Sequence, residues 1–192
     1  MIEPDYYKST NKAYEIINKF GYYSIPISVF KLIQLFQNIK LYSYSDAAFK
    51  QSITYNDFYE IAPSEFGFSM IDNNTDNCII FYNDKKMESV IRFTLAHELG
   101  HCLLHHLKDG KIESMEANCF ARNLLCPIYV VLELGLTDIY EYMELFNVSK
   151  SMAEVSIKFK NADYINITEE NYYKSAAKTF NLKQHNTHTY YK

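Results

Sequence analysis

The chain has 192 residues, enough for one domain with short appendages, and 48% of them are apolar, which is ample for a packed core. Its formal net charge at pH 7 is −4, and its two arginines are Arg92 and Arg122. Proteins that bind nucleic acid neutralise phosphates with dense lysine and arginine, so this composition predicts no direct contact with DNA or RNA.

The sequence lacks the features of an exported or membrane-spanning protein. No apolar run approaches 18 residues, and the first residues carry neither the charged stretch nor the apolar stretch of a signal peptide. The four cysteines show no Cys-x-x-Cys spacing, so we predict that they are small core side chains. Together these features predict a cytoplasmic protein without a membrane span.

The N-terminal half is predicted to hold two helices followed by three short strands. An amphipathic pattern over residues 5–20 indicates the first helix, and residues 29–36 indicate the second, with Ser28 as its cap. Alternating or continuous apolar segments between Asn and Asp turns then predict strands over residues 39–43, 66–72 and 78–82. We expect these strands to form a small sheet beside the helix that follows.

Two histidines one helical turn apart are the most informative feature of the chain, in the run His97-Glu98-Leu99-Gly100-His101. Positions i and i+4 share one face of a helix, so both imidazoles can reach one ion while Glu98 points at the water bound to it. This is the arrangement of a zinc hydrolase. The alternative is a pair of core histidines satisfied by hydrogen bonds, which leaves Glu98 without a role.

Gly100 supports the metal interpretation, because a glycine in mid-helix costs about 1 kcal/mol relative to alanine. Its presence predicts that another backbone or a ligand comes close at that point. A catalytic zinc takes three protein ligands as a rule, and His105 is too far along a straight helix to be the third. We expect His105 and His106 to lie at the end of the helix, where the helix dipole favours positive charge.

Residues 113–127 are predicted to form a second helix ended by Pro127. Here the chain resembles the ImmA/IrrE metallopeptidases, whose hallmarks are Phe-Thr-Leu-Ala-His-Glu-Leu-Gly-His followed by Glu-Ala-Asn-x-Phe-Ala and an apolar run closing in proline. Residues 93–101 and 116–127 carry the match. The resemblance implies a zincin-like fold of the α+β class, mostly helical, with the three-stranded sheet beside the metal helix.

The resemblance also implies a third ligand four residues before Asn118, where this chain has Ser114. Glu113 and Glu116 are therefore both candidate ligands: an irregular helix start would bring in Glu113, and a bulge would bring in Glu116. A weakened or two-histidine site stays open. Asn118 could hold a ligand histidine through its distal nitrogen or lie on a solvated face, and the resemblance favours the first.

Further helices are predicted over residues 137–146 and 149–160, after an apolar stretch over 128–134 that Gly135 breaks. We assign residues 1–160 to one metallopeptidase domain and residues 161–192 to a loosely held C-terminal tail.

The resemblance implies a function that spacing alone does not. Similar proteins act inside bacteria, often in phages or mobile elements, and relieve repression by cutting a helix-turn-helix repressor. We therefore predict a zinc-dependent endopeptidase that acts as an anti-repressor on such a protein partner. The alternatives are a zinc-binding regulatory module that binds a repressor or sensor without cutting it, and a general, toxin-like protease.

Overall fold

The computed structural model describes residues 3–20, 24–108 and 110–176. These described residues form two compact units, one from those within 28–121 together with 3–4, the other from those within 5–27 and 122–176. In chain order the elements of the described residues are α1 (Tyr6–Phe20), α2 (Val29–Ile33), β1 (Ile39–Ser43), α3 (Tyr44–Lys50), α4 (Tyr55–Ile61), β2 (Gly67–Ile71), β3 (Cys78–Tyr82), α5 (Glu88–Leu104), α6 (Lys111–Leu125), α7 (Ile128–Leu134), α8 (Ile139–Phe146) and α9 (Lys150–Asn166).

Within the first unit, the strands form a mixed sheet in the order β1-β3-β2. β1 runs parallel to β3, and β2 pairs antiparallel with it, so that Ser69 lies opposite Ile80. β2 and β3 form a hairpin whose turn is held by the Asp72 carboxylate, which accepts hydrogen bonds from the Asn74 amide and the Thr75 hydroxyl. β2 is consequently an edge strand of this sheet.

Two helices of the first unit, α3 and α4, are absent from the sequence prediction. Each begins with a capping box: Ser43 with Asp46 for α3, and Thr54 with Asp57 for α4. The side chains of Tyr44 and Phe58 from these helices form a buried cluster against the sheet. The seven-residue lengths are too short for a clear apolar period, so the caps were the available signal.

Helix α5 lies against the sheet on one side and against α6 on the other. A side chain at Gly67 of β2 would bring its Cβ within 2.5 Å of Thr94 Cγ2. A Cβ at Gly100 would lie 3.0 Å from Phe120 Cδ1 and 3.3 Å from Ala117 Cα. The close approach predicted at Gly100 is therefore present, and the neighbour is α6.

The second unit is helical in the part of the chain that the structure describes. It contains a buried ion pair between Arg122 and Asp163. Arg122 donates through Nε and Nη2 to the two carboxylate oxygens of Asp163, each at 2.6 Å. The Ile128 amide donates to the Tyr14 hydroxyl at 2.7 Å, at the start of α7. Gly135, with a φ of +65°, ends α7 as the sequence indicated.

The predicted fold class, mostly helical α+β with a three-stranded sheet, is confirmed for the described residues. Several details differ. The second predicted helix, over residues 29–36, ends at Ile33. Ser28 precedes α2 without a side-chain capping bond. Helix α9 continues through residue 160 to Asn166, and a further helical stretch covers 169–176. The rest of the predicted tail, residues 177–192, lies outside the described residues.

The prediction for the cysteines needs a correction. Cys78 of β3 and Cys102 of α5 are both buried, as expected, but they form a disulfide that joins the sheet to the helix. Cys119 and Cys126 are buried thiols. The spacing of 24 residues between the bonded cysteines has no motif character, so only the packing of α5 on β3 brings them together.

No single helix among the described residues has the length and apolar character needed to cross a membrane, although α6 and α7 taken together pass that test by length and composition.

Candidate active site

A cavity of about 840 Å³ opens in the first unit between β2, α5 and the start of α6. Its polar lining includes both predicted ligand histidines, Glu98, Ser69, His106 and Ser114. Its apolar lining includes Phe66, Phe68, Met70, Ile71, Val90 and Phe93. A mostly apolar cleft with a few convergent polar groups is the usual form of a binding or catalytic site.

The two histidines of α5 present the same ring nitrogen to each other. His97 Nε2 and His101 Nε2 are 3.0 Å apart, as expected for side chains at i and i+4 on one helix face. His97 Nδ1 lies 2.9 Å from the Asn118 amide oxygen, which is an acceptor only. His97 therefore carries its proton on Nδ1 and a lone pair on Nε2.

A third histidine, His106, lies behind His101. His101 Nδ1 is 3.1 Å from His106 Nδ1, and His106 Nε2 is 2.9 Å from a carboxylate oxygen of Glu116. The carboxylate accepts a hydrogen bond from His106 Nε2–H, which leaves His106 Nδ1 as the acceptor for the N–H of His101 Nδ1. His101 then also has its lone pair on Nε2.

This tautomer pattern aims two lone pairs at one another across 3.0 Å, which is unfavourable unless a proton or a cation lies between them. Two imidazoles that share a tetrahedral zinc at bond lengths of about 2.0–2.1 Å place their nitrogens roughly 3.4 Å apart. The pair is therefore close to the spacing that such an ion requires, and its donor atoms fit zinc.

Burial and its two imidazole neighbours favour the neutral form of His101. Desolvation, followed by the proximity of His97 and His106, lowers the pKa of His101 to about 3. A neutral imidazole is the form that donates a lone pair to a metal.

Glu98 lies beside this pair, buried in the wall of the same cavity. The Ser69 hydroxyl of β2 donates to Glu98 Oε2 at 2.8 Å, which holds the carboxylate in one orientation. A glutamate next to a polarised water is the arrangement that accepts a proton in hydrolysis.

The profile of the Peptidase_M78 family, described as the IrrE N-terminal-like domain, matches residues 53–158, more than half of the chain. The chain belongs to this family. No curated protein matches it significantly. The resemblance inferred from residues 93–101 and 116–127 is thus confirmed, and the metallopeptidase character of the family implies a metal.

The residues predicted for the third ligand of this IrrE N-terminal-like domain do not join the imidazole pair. Helix α6 runs uninterrupted from Lys111 to Leu125, with neither an irregular start at 114 nor a bulge. Glu116 contacts His106, and the Glu113 carboxylate lies against Gly110. Among the described residues, no three His, Cys, Asp or Glu side chains are grouped to hold a metal ion.

Ser114 lies where the family pattern expects a glutamate, and the structure places it in the cavity wall with both imidazoles. The geometry therefore supplies two protein nitrogens for a metal in this IrrE N-terminal-like domain. Whether either glutamate completes the site stays a prediction.

Sequence reasoning missed two residues of the site, His106 and Ser69. The sequence explained His106 as a residue at the end of helix α5, where the helix dipole favours positive charge. No sequence spacing linked His106 to Glu116. Ser69 differs from other strand serines only through the register that places it beside α5. His105, by contrast, ends α5 with its side chain 60% exposed, as its position at the helix end predicted.

Proposed function

We propose that this protein is a zinc-dependent endopeptidase in which His97 and His101 hold the metal and Glu98 is the general base. The observation that carries this proposal is the 3.0 Å spacing of the His97 and His101 Nε2 atoms beside a buried glutamate. Membership in a peptidase family supports the reaction class.

The chemistry divides between the metal and the side chains of the chain. Zinc, when bound, supplies a Lewis acid that polarises the scissile carbonyl and lowers the pKa of the attacking water. Glu98 accepts the proton of that water and passes it to the leaving amine. Ser69 keeps the Glu98 carboxylate aimed into the cavity.

Edge strand β2 is the proposed binding site for an extended substrate. Zincins commonly hold a peptide by main-chain hydrogen bonds along such a strand, and β2 lines the cavity from Gly67 to Ile71. Neighbouring Phe66 and Phe93 supply apolar surface for substrate side chains.

The proposed substrate is a helix-turn-helix repressor, cut inside the cytoplasm to relieve repression, as in an anti-repressor of a phage or mobile element. The resemblance of the two motif segments supports this substrate class. The net charge of −4 is compatible with it, because the protein then controls DNA through a protein substrate and needs no basic surface of its own.

A second candidate function has one specific observation in its favour. Ser114 lies in the cavity wall where a ligand glutamate was expected, and the described residues include no three-residue ligand group. These features suit a regulatory module that binds zinc weakly and holds a repressor or sensor without cutting it.

The test mixes the zinc-loaded full chain with a purified helix-turn-helix repressor and uses mass spectrometry to find cut sites. We expect cleavage by the parent and a loss of about 100- to 10,000-fold in Glu98→Gln, with zinc retained. Glu88→Gln, in the first turn of the same helix, is the matched control and should cut normally.

Each alternative has its own result. Zinc binding without cleavage favours the regulatory module, and equal cleavage of unrelated proteins favours a general protease. Glu98→Gln cutting as fast as the parent contradicts the role of Glu98.

A further inference from the structure

We propose that His106, held by Glu116, is a positioning residue that orients His101 for metal binding. This inference rests on the proposed function, since it concerns how the same site is kept in its binding geometry. The sequence patterns predict other roles for both residues: Glu116 is a candidate metal ligand, and His106 is a residue at the end of helix α5.

The backbone explains how a residue five positions after His101 returns to it. His105 adopts a left-handed conformation with a φ of 58°, which turns the chain at the end of α5. The His106 amide then donates to the His101 carbonyl at 3.1 Å, and the His105 amide approaches the Cys102 carbonyl at 3.4 Å. This is the hydrogen-bond pattern of a Schellman turn, which folds the chain back over the last helical turn.

The fold-back places the ring of His106 against the ring of His101. Their centroids are 5.0 Å apart, the planes are inclined by 78°, and the two Nδ1 atoms are 3.1 Å apart. The His106 side chain is 6% exposed, so water does not readily replace it as a partner of His101.

Glu116 in turn fixes the orientation of the His106 ring. Its carboxylate lies 2.9 Å from His106 Nε2 and its side chain is 13% exposed. A carboxylate accepts only, so it holds the His106 proton on Nε2 and turns the Nδ1 lone pair toward His101. The Glu116 carboxylate therefore orients His101 indirectly, because it fixes the ring of His106 that contacts His101.

The two candidate ligands are thus supported in different ways from the same helix. Asn118 of α6 accepts directly from His97, whereas Glu116 of α6 acts on His101 through His106. A ligand histidine whose distal nitrogen has a fixed acceptor keeps one tautomer and one ring orientation, and loss of such a partner typically costs about 10- to 100-fold in metal affinity.

The test measures zinc affinity of the full chain by competition with a chelator. His106→Leu removes the acceptor, and we expect its dissociation constant to rise about 10- to 100-fold. Glu116→Gln keeps an oxygen acceptor but lacks the charge, so its rise should be smaller. His105→Asn is the matched control: asparagine tolerates the left-handed conformation, and the affinity should stay within twofold of the parent.

A spectroscopic readout separates positioning from a general loss of packing. In zinc-loaded, ¹⁵N-labelled parent, the Nδ1–H of His101 should give one downfield proton resonance, because it donates to a buried acceptor. We expect this resonance to shift or broaden in His106→Leu and to stay in place in His105→Asn. Denaturant unfolding of each variant shows that the fold is retained.

Failure of the inference can be told from failure of the proposed function. If the parent binds no zinc, or binds it equally after His97→Ala and His101→Ala, the metal site itself is wrong and this inference falls with it. If the parent binds zinc through these histidines but both His106→Leu and Glu116→Gln keep the parent affinity and resonance, only the positioning role is overturned.

Discussion

Two polar clusters in this protein differ in the kind of groups that they bring together, oppositely charged side chains in one and imidazole rings in the other. In the second unit, Arg122 and Asp163 satisfy each other through two parallel 2.6 Å bonds, and Asn123 adds a third donor at 3.1 Å. In the first unit, His97 and His101 each contact a polar side chain through Nδ1, and their Nε2 atoms lie 3.0 Å apart.

The difference distinguishes a cluster that stabilises the fold, Arg122 with Asp163, from a cluster in the candidate active site, His97 with His101. Charges that neutralise each other hold helices together, whereas two imidazole nitrogens at this spacing are able to share a metal ion. Burial alone does not distinguish the clusters, because Asp163 and Glu98 are both buried. The predictions below test this contrast.

The largest expected effect comes from breaking the paired cluster. Asp163→Ala leaves the buried Arg122 guanidinium without its partner and should lower the free energy of unfolding by about 3–5 kcal/mol, without changing zinc affinity. Denaturant unfolding and chelator competition measure the two quantities. Glu154→Ala, which breaks an exposed pair with Lys150 in the same helix, should cost less than about 1 kcal/mol.

Loss of the disulfide, like loss of the Arg122–Asp163 pair, should lower the free energy of unfolding. Reduction of Cys78–Cys102 removes a crosslink between residues 24 apart and should lower the free energy of unfolding by about 3 kcal/mol. Unfolding curves with and without dithiothreitol measure this change. A Cys78→Ala/Cys102→Ala variant should be insensitive to the reductant, and an unchanged parent curve would contradict the prediction.

Ser69→Ala tests the other side of the contrast, since it alters the site without removing a buried charge. Loss of the hydroxyl bond to Glu98 should slow cleavage by about 10- to 100-fold, the range expected for a hydrogen bond to a charged group. Initial rates with the repressor substrate provide the measurement. Ser69→Thr keeps a hydroxyl and is the control. Equal rates for parent and Ser69→Ala would show that Glu98 is oriented by other contacts.

We also expect a dependence of stability on pH in protein kept metal-free by a chelator. The pKa of His101 is about 3 in the folded chain, below the ordinary 6.5, so the unfolded chain binds more protons between these values. The free energy of unfolding should therefore be highest above pH 6.5 and fall as the pH drops toward 3, by up to about 1.4 kcal/mol per pH unit.

Unfolding curves at pH 7, 6 and 5 measure this slope. His101→Gln cannot take up the proton and should have a flatter profile over the same range. An identical slope in parent and variant would contradict the assignment to His101.

The parts of the fold that follow local rules were predictable. Helix α1, which has a clear apolar period, and the three short strands lie within a few residues of their predicted bounds. Helices α3 and α4 were missed because seven residues hold fewer than two full periods of helix. Their capping boxes at Ser43 and Thr54 are local sequence signals that mark the starts of these two helices.

The candidate site shows the same division. The sequence by itself determined that His97, Glu98 and His101 share one helical turn, because the i,i+4 geometry of a helix needs no partner from elsewhere in the chain. Only the tertiary structure decided that Ser69 holds Glu98, that Cys78 bonds Cys102, and that Glu116 acts on His101 through His106. These contacts depend on strand register, helix packing and the direction of one left-handed turn, which join residues that no sequence period connects.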